Sequence, residues 1–123
     1  MKVNQKTLDQ IKEQVNIKDR AAFALGVAVS EYELAKAGLA LLADTVPRDE
    51  RLLRLGALQS EFDGYRDTHM GVVVRANAAQ KAIGEEALSA LGLPESRAFT
   101  IDDRTGEVLE LVAGSYVPVK EVA

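Results

Sequence analysis

Apolar residues recur along the first third of the chain in two registers, each repeating every seven residues. Interleaved, the registers give alternating steps of four and three, the pattern of a helix packed lengthwise on another helix. Thr7 followed by Gln10 fits a capping box at the helix start, and no proline occurs before Pro47. The pattern predicts a helix over about residues 7–45. Its registers are Ala21, Ala28, Ala35, Leu42 and Leu25, Tyr32, Leu39, Val46.

A second helix is predicted from about residue 47 to residue 91. Pro47 interrupts the first helix but is well tolerated in a first turn, and the acids after it favour a helix N-terminus. The ending "LGLP" places Gly92 where a left-handed cap residue belongs, with Pro94 as a stop. The two registers are Leu55, Phe62, His69, Ala76, Ile83, Ala90 and Leu58, Tyr65, Val72, Ala79, Glu86, Leu93.

These patterns predict a mainly α fold: a long antiparallel, coiled-coil-like helical hairpin over residues 1–93, followed by a small C-terminal β-hairpin and tail over residues 94–123. Two long helices joined by a short break fold back so that each stripe buries the other. One long helix kinked at Pro47 is the alternative. After Pro94, short apolar bursts flank "DRTGE", where Gly106 can take the positive φ of a hairpin loop. "GSYVPV" is a candidate third strand, with Pro118 restricting it to an edge or its end.

Composition and charge exclude several classes of partner and binding site. The chain has a net charge of −4 and no basic run, so we expect no nucleic-acid partner. It contains no cysteine, which excludes thiolate metal sites and a Cys nucleophile. The polar N-terminus and the charges within the most apolar stretch predict a soluble protein made in the cytoplasm, with no membrane partner. We expect no cofactor.

A stripe of small residues on the second helix suggests self-association. Glycine inside a helix costs roughly 1 kcal/mol relative to alanine, so two glycines on one stripe favour close approach of another backbone. A mobile segment around "GYRDTHMG" is the alternative interpretation. The predicted oligomer interface combines this stripe with neighbouring apolar positions: Leu55, Ala57, Leu58, Phe62, Gly64, Tyr65, Gly71, Val72 and Ala78.

His69 is the single histidine and falls on the packing stripe of the second helix. With Tyr65, Arg66 and Arg75 it forms a candidate pocket for a small anion or nucleotide, although a packed histidine that sets helix register is the simpler interpretation. Phosphate-binding loops, a nucleophile elbow and zinc-protease motifs are all absent from the sequence. We therefore predict no catalytic residues, no metal ligands and no enzymatic activity.

The acids in "AFTIDDRTGEVLEL" invite comparison with a calcium loop. That loop requires oxygen ligands at alternate positions, glycine at the sixth and an acid at the twelfth. Counting from Asp102 or from Asp103, the glycine falls too early, so the comparison fails in both registers. The acids are interpreted as turn and solvent-facing residues around Gly106. The apolar neighbours form a predicted docking surface: Phe99, Ile101, Val108, Leu109 and Leu111.

The plan of the chain resembles a class of small tailed-bacteriophage proteins with paired amphipathic helices and a C-terminal β segment of the type I-D-x-x-T-G-E. The start "QKTLDQIKEQ" shares the lysine- and glutamine-rich character of that class. Its β segment is matched here by Ile101, Asp102, Thr105, Gly106 and Glu107. The resemblance implies a phage protein with an assembly or accessory role, and it brings no catalytic residues.

The leading hypothesis is a non-enzymatic, self-associating structural or assembly protein, with a bacteriophage virion or accessory component as the specific form. Its partners would be itself, as a homo-oligomer, and other proteins. The alternatives are an oligomeric module that binds a small anion or nucleotide, and an inhibitor of a host protein.

Overall fold

The computed structural model describes residues 1–94 and 96–120. It contains two long helices, α1 (Gln5–Leu41) and α2 (Arg48–Ala90), followed by three strands, β1 (Phe99–Ile101), β2 (Val108–Val112) and β3 (Ser115–Pro118). The predicted fold class, a helical hairpin followed by a small β element, is confirmed. Glu95 and residues 121–123 of the predicted C-terminal segment lie outside the described residues.

The chain forms two compact units. One comprises Asp19–Val74, and the other comprises Met1–Lys18 with the described residues from 75 onward. Each unit contains a stretch of both helices. The predicted domain division between residues 93 and 94 stays a prediction.

In the unit Asp19–Val74, α1 and α2 run antiparallel on either side of a short turn. The rings of Tyr32 and Phe62 stack with centroids 4.7 Å apart. The ammonium of Lys36 lies 4.7 Å above the Tyr32 ring and also pairs with Glu33. In this unit the predicted register residues are at least half-buried, with the exception of Tyr65. The heptad pattern therefore identified the packed faces of this part of the hairpin.

The connection between the helices is longer than the sequence suggested, since it spans residues 42–47. We expected the first helix to reach residue 45, but α1 ends at Leu41, and the following amides bond to carbonyls three residues back, as in Leu42 N to Leu39 O at 3.1 Å. The side chain of Arg51 then donates to the carbonyl of Val46 at 3.1 Å. The bonds to the carbonyls of Leu39 and Ala40 satisfy groups that the end of α1 would otherwise leave without partners.

The start of α1 also differs from expectation. The predicted capping box at Thr7 is wrong, because Asn4 occupies the capping position: its Oδ1 accepts a hydrogen bond from the Thr7 amide at 2.8 Å, and its carbonyl accepts one from the Leu8 amide. An Asn side chain three residues before an unpaired amide is a favourable cap. The helix therefore begins two residues earlier than predicted.

The second unit contains the antiparallel sheet, in the order β1-β2-β3. Ile101 pairs with Val108, and Val112 pairs with Ser115. The candidate third strand is present, at an edge of the sheet and ending at Pro118. Ala113 and Gly114 form the two-residue loop between β2 and β3, and both have positive φ, as the favoured hairpin turns require.

Residues 1–3 are hydrogen-bonded to the sheet. The Val108 amide donates to the Met1 carbonyl at 2.8 Å, and the Val3 amide donates to the Gly106 carbonyl at 2.9 Å. The Met1 ammonium donates to the Val119 carbonyl. Among residues 1–94 and 96–120, four buried apolar residues belong to this unit: Leu8, Ile11, Ala76 and Val108. The other unit has one, Ala21, so the core formed by the described residues is small.

Candidate functional site

The predicted oligomer interface divides into two groups once the helices are packed. Leu55, Leu58, Phe62 and Val72 are half-buried. Phe62 stacks on Tyr32 of the same chain, and Leu58 shares grooves with α1 residues. These side chains therefore serve the hairpin itself. Tyr65 is 52% exposed and remains accessible.

The small residues of the predicted interface lie mainly on the outside of α2. Ala57, Gly64 and Ala78 are exposed, and Gly71 is half-buried. A Cβ atom built on Gly64 would meet no atom within 4 Å. No contact within the described residues therefore requires glycine at this position, and the prediction that another backbone approaches there stays open.

A second apolar stripe, not identified from the sequence, follows the outside of α1. We call it the α1 outer stripe. Phe23 is 76% exposed, Leu34 74% and Leu41 87%, and Val27 is also exposed. Ser30 and Ala37 are exposed between them. Large apolar side chains at this level of exposure, repeated along one helix face, mark an interaction surface.

The sequence contained a signal for this stripe. Its large members Val27, Leu34 and Leu41 repeat every seven residues, and each comes two residues after a member of the packed register. Two residues are roughly half a helical turn. The stripe therefore lies on the side of α1 opposite the face packed on α2. The helix α1 is therefore apolar on two opposite faces, and α2 covers one of them.

In the candidate anion pocket, protein carboxylates already pair with the arginine that would bind an anion. Tyr65 and His69 are in ring contact, with centroids 4.5 Å apart. The Arg66 guanidinium lies 3.3 Å from an Asp63 oxygen and 3.5 Å from an Asp67 oxygen. These acids neutralise the cation that an anionic ligand would need. The fourth predicted residue, Arg75, belongs to the other compact unit.

Tyr65 instead lines a shallow groove of about 280 Å³ between the two helices. Tyr32 and Phe62 supply its aromatic wall, and the carboxylates of Glu31 and Glu61 flank it. Acidic and aromatic side chains together favour a cation over an anion. The geometry therefore gives little support to a nucleotide at this place.

The acids of the β1–β2 loop hold a turn. Asp102 Oδ1 accepts hydrogen bonds from the amides of Arg104 at 2.9 Å and Thr105 at 3.4 Å. These bonds lower the pKa of the Asp102 carboxyl below its usual 3.8, with the Arg104 amide as the largest cause. Glu110 pairs with Arg97. Across residues 1–94 and 96–120, no group of three or more Asp, Glu or His side chains is positioned to hold a metal ion.

The predicted docking surface of the sheet is only partly accessible. Val108 is fully buried, so its assignment to that surface is corrected. Its backbone is hydrogen-bonded to residues 1 and 119. Phe99, Ile101 and Leu109 are half-buried, and Leu111 is exposed. The exposed apolar side chains near Leu111 are Val112, Tyr116 and Val117.

Neither helix, within the part of the chain that the structure describes, has the length and apolarity needed to cross a membrane. Comparison with known proteins finds no match: no family model fits the chain, and no curated protein or solved structure is similar to it. The α1 outer stripe is therefore the strongest candidate site, identified from the geometry alone.

Proposed function

We propose that this protein is a non-enzymatic, self-associating structural or assembly protein, and that the α1 outer stripe is its contact surface. One observation supports the proposal above all others: Phe23, Leu34 and Leu41 are each about three-quarters exposed or more on the unpacked face of α1. Water contact with these side chains is unfavourable, and a helix face of a second molecule can remove it.

Magnitudes indicate how strong this association should be. Fully burying one Val, Leu or Phe side chain contributes roughly 1.5–3 kcal/mol. The free energy gained by burying the four large side chains of the stripe has to exceed an association cost of about 4–15 kcal/mol. The balance favours assembly that depends on protein concentration, rather than an obligate complex. We therefore expect the measured mass to rise with protein concentration.

We propose further that the assembly belongs to a bacteriophage virion or serves it as an accessory component. The support is the resemblance carried by Ile101, Asp102, Thr105, Gly106 and Glu107. Capsid or tail genes beside the encoding gene would support this role. A neighbourhood of unrelated metabolic genes would contradict it.

Light scattering after size exclusion, across a concentration series, tests self-association. Leu34→Glu places a charge at the centre of the α1 outer stripe, and we expect it to reduce the measured mass to that of one chain. Because Leu34 is 74% exposed, the substitution should leave the helical circular dichroism signal unchanged.

Leu111→Glu is the matched control, since it makes the same change at an exposed position on the sheet. We expect this variant to assemble like the unsubstituted protein. A mass of one chain for the unsubstituted protein at all concentrations would overturn the proposal. Loss of assembly in Leu111→Glu alone would move the contact surface to the sheet.

A further inference from the structure

The α1 outer stripe raises the question of which surface of a second copy covers it. Resting on the proposed self-association, we infer that it packs against the outer face of α2, along Leu53, Ala57, Ser60 and Gly64. We call this face the α2 outer stripe. Each contact would then join two different faces, and every copy would carry one of each.

The position of the α2 outer stripe suits this role. Each of its members lies two residues from a member of a packed register, on the side of α2 turned away from α1. Its residues follow one another in steps of four, three and four, as Phe23, Val27, Ser30 and Leu34 do in α1. Two helices with matching steps can pack lengthwise.

The side-chain sizes of the two stripes are complementary. The α1 outer stripe carries large side chains, exemplified by Phe23 and Leu34, which project from the helix. Most members of the α2 outer stripe are small, and nothing lies within 4 Å of a Cβ built on Gly64. In an antiparallel approach Phe23 faces Gly64 and Val27 faces Ser60, and large side chains opposite small ones allow close packing of helices. At the other end of the contact Leu34 faces Leu53, which is 76% exposed, so that two apolar side chains cover each other.

The distribution of charge favours this arrangement over the symmetric alternative, in which two α1 outer stripes face each other. Glu31 and Glu33 flank the middle of the stripe. An antiparallel α1–α1 pair that uses the whole stripe brings the two Glu31 carboxylates together at its centre, and like charges at that distance repel. Glu33 is paired with Lys36 of its own helix and adds less to this repulsion.

Against α2, in the register that places Phe23 at Gly64, Glu31 comes beside Arg54 instead. Arg54 already pairs with Glu50 of its own helix, and its guanidinium has further N–H donors that can bond to Glu31. Glu31 has no ion-pair partner among the described residues.

The form of the assembly follows from the use of two different faces. The two outer stripes lie on opposite sides of the hairpin, so one partner molecule cannot contact both of them. Each α1–α2 contact therefore leaves a free stripe on both copies, and assembly continues to a ring of at least three copies or to an open chain. The inference therefore predicts masses above that of two chains for the unsubstituted protein. A contact between two α1 outer stripes would stop at two copies.

Complementation between two defective variants tests the inference. Leu34→Glu removes the α1 outer stripe and leaves α2 intact. Gly64→Arg blocks the α2 outer stripe, and the open space around Gly64 lets the hairpin fold. We expect each variant alone to have the mass of one chain. An equimolar mixture should form a complex of two chains, because one functional contact remains.

Circular dichroism of both variants confirms that they fold before the mixing experiment is interpreted. If Gly64→Arg assembles like the unsubstituted protein, or if the mixture stays at the mass of one chain, the contact between unlike faces is overturned while self-association stands. An unsubstituted protein that forms only two-chain complexes also overturns it. A monomeric unsubstituted protein instead refutes the proposed function, and the inference with it.

Discussion

Gly106 is under two separate constraints in the loop that joins β1 and β2. Its φ is +77°, which L side chains rarely adopt, and a Cβ atom there would lie 3.3 Å from a Val3 methyl group and 3.4 Å from one of Leu8. Gly114, in the next turn, has a φ of +83° but open space around it. The two glycines therefore separate backbone strain from steric crowding.

We expect Gly106→Ala to lower the free energy of unfolding more than Gly114→Ala does. Positive φ alone costs an alanine roughly 1–2 kcal/mol, and this cost applies to both variants. The contact with Val3 and Leu8 adds to it only at residue 106. Urea unfolding in the Leu34→Glu background measures both values without interference from assembly. Equal losses of unfolding free energy in the two variants would show that Val3 and Leu8 move away from the new methyl group at no energetic cost.

Asp102 gives the same loop a dependence on pH. Its carboxylate accepts amide hydrogen bonds, which hold its folded-state pKa below the usual 3.8. A lowered pKa means that the folded state favours the charged form, so the stabilisation is complete above pH 3.8 and is lost as the pH falls through the folded-state pKa.

Asp102→Asn should therefore be less stable than the unsubstituted chain at neutral pH, and the difference should shrink below pH 3.8. Asparagine retains an acceptor oxygen but lacks the charge that strengthens the bonds to the amides. Thermal unfolding of both chains over an acidic pH series measures the difference. A gap that stays constant with pH would assign the effect to shape alone.

Secondary-structure elements were predicted from the sequence more accurately than their ends. The heptad registers fixed both helices and, in the unit Asp19–Val74, their packed faces, because burial of an apolar stripe dominates helix formation in proteins. Helix ends depend on single hydrogen bonds, and there Thr7 and Asn4 were both chemically suitable caps. Only the folded backbone shows that Asn4 Oδ1 reaches the Thr7 amide.

Asn4→Ala should destabilise the protein by about 0.5–2 kcal/mol, since the first turn of α1 loses its side-chain cap. Asn16→Ala is the matched control, because it makes the same change at an exposed position inside α1. There alanine is the better helix former, so we expect no loss or a small gain in stability. Chemical denaturation of both variants measures the change in the free energy of unfolding at each position. Similar losses at the two positions would exclude a capping role for Asn4.

At the scale of the whole molecule, the sequence predicted a self-associating protein but missed the most exposed surface. The glycines of α2 predict a close helix contact because glycine is unusual inside a helix. Leu34 alone gives no such signal, because leucine is common in helices at both packed and exposed positions. Which apolar positions the hairpin leaves uncovered depends on three-dimensional packing, which periodicity alone does not give.

The attachment of residues 1–3 to the sheet has a consequence for folding during synthesis. The hydrogen bond from Met1 to the Val119 carbonyl joins residues separated by 118 positions. Leu8 contacts the site of Gly106, which leaves the ribosome about a hundred residues later. The apolar side chains in the first turns of α1 therefore stay uncovered until the ribosome has released the β1–β2 loop and the strands beside it. Contacts this distant in sequence form late, and in that interval a chaperone has its clearest opportunity to bind.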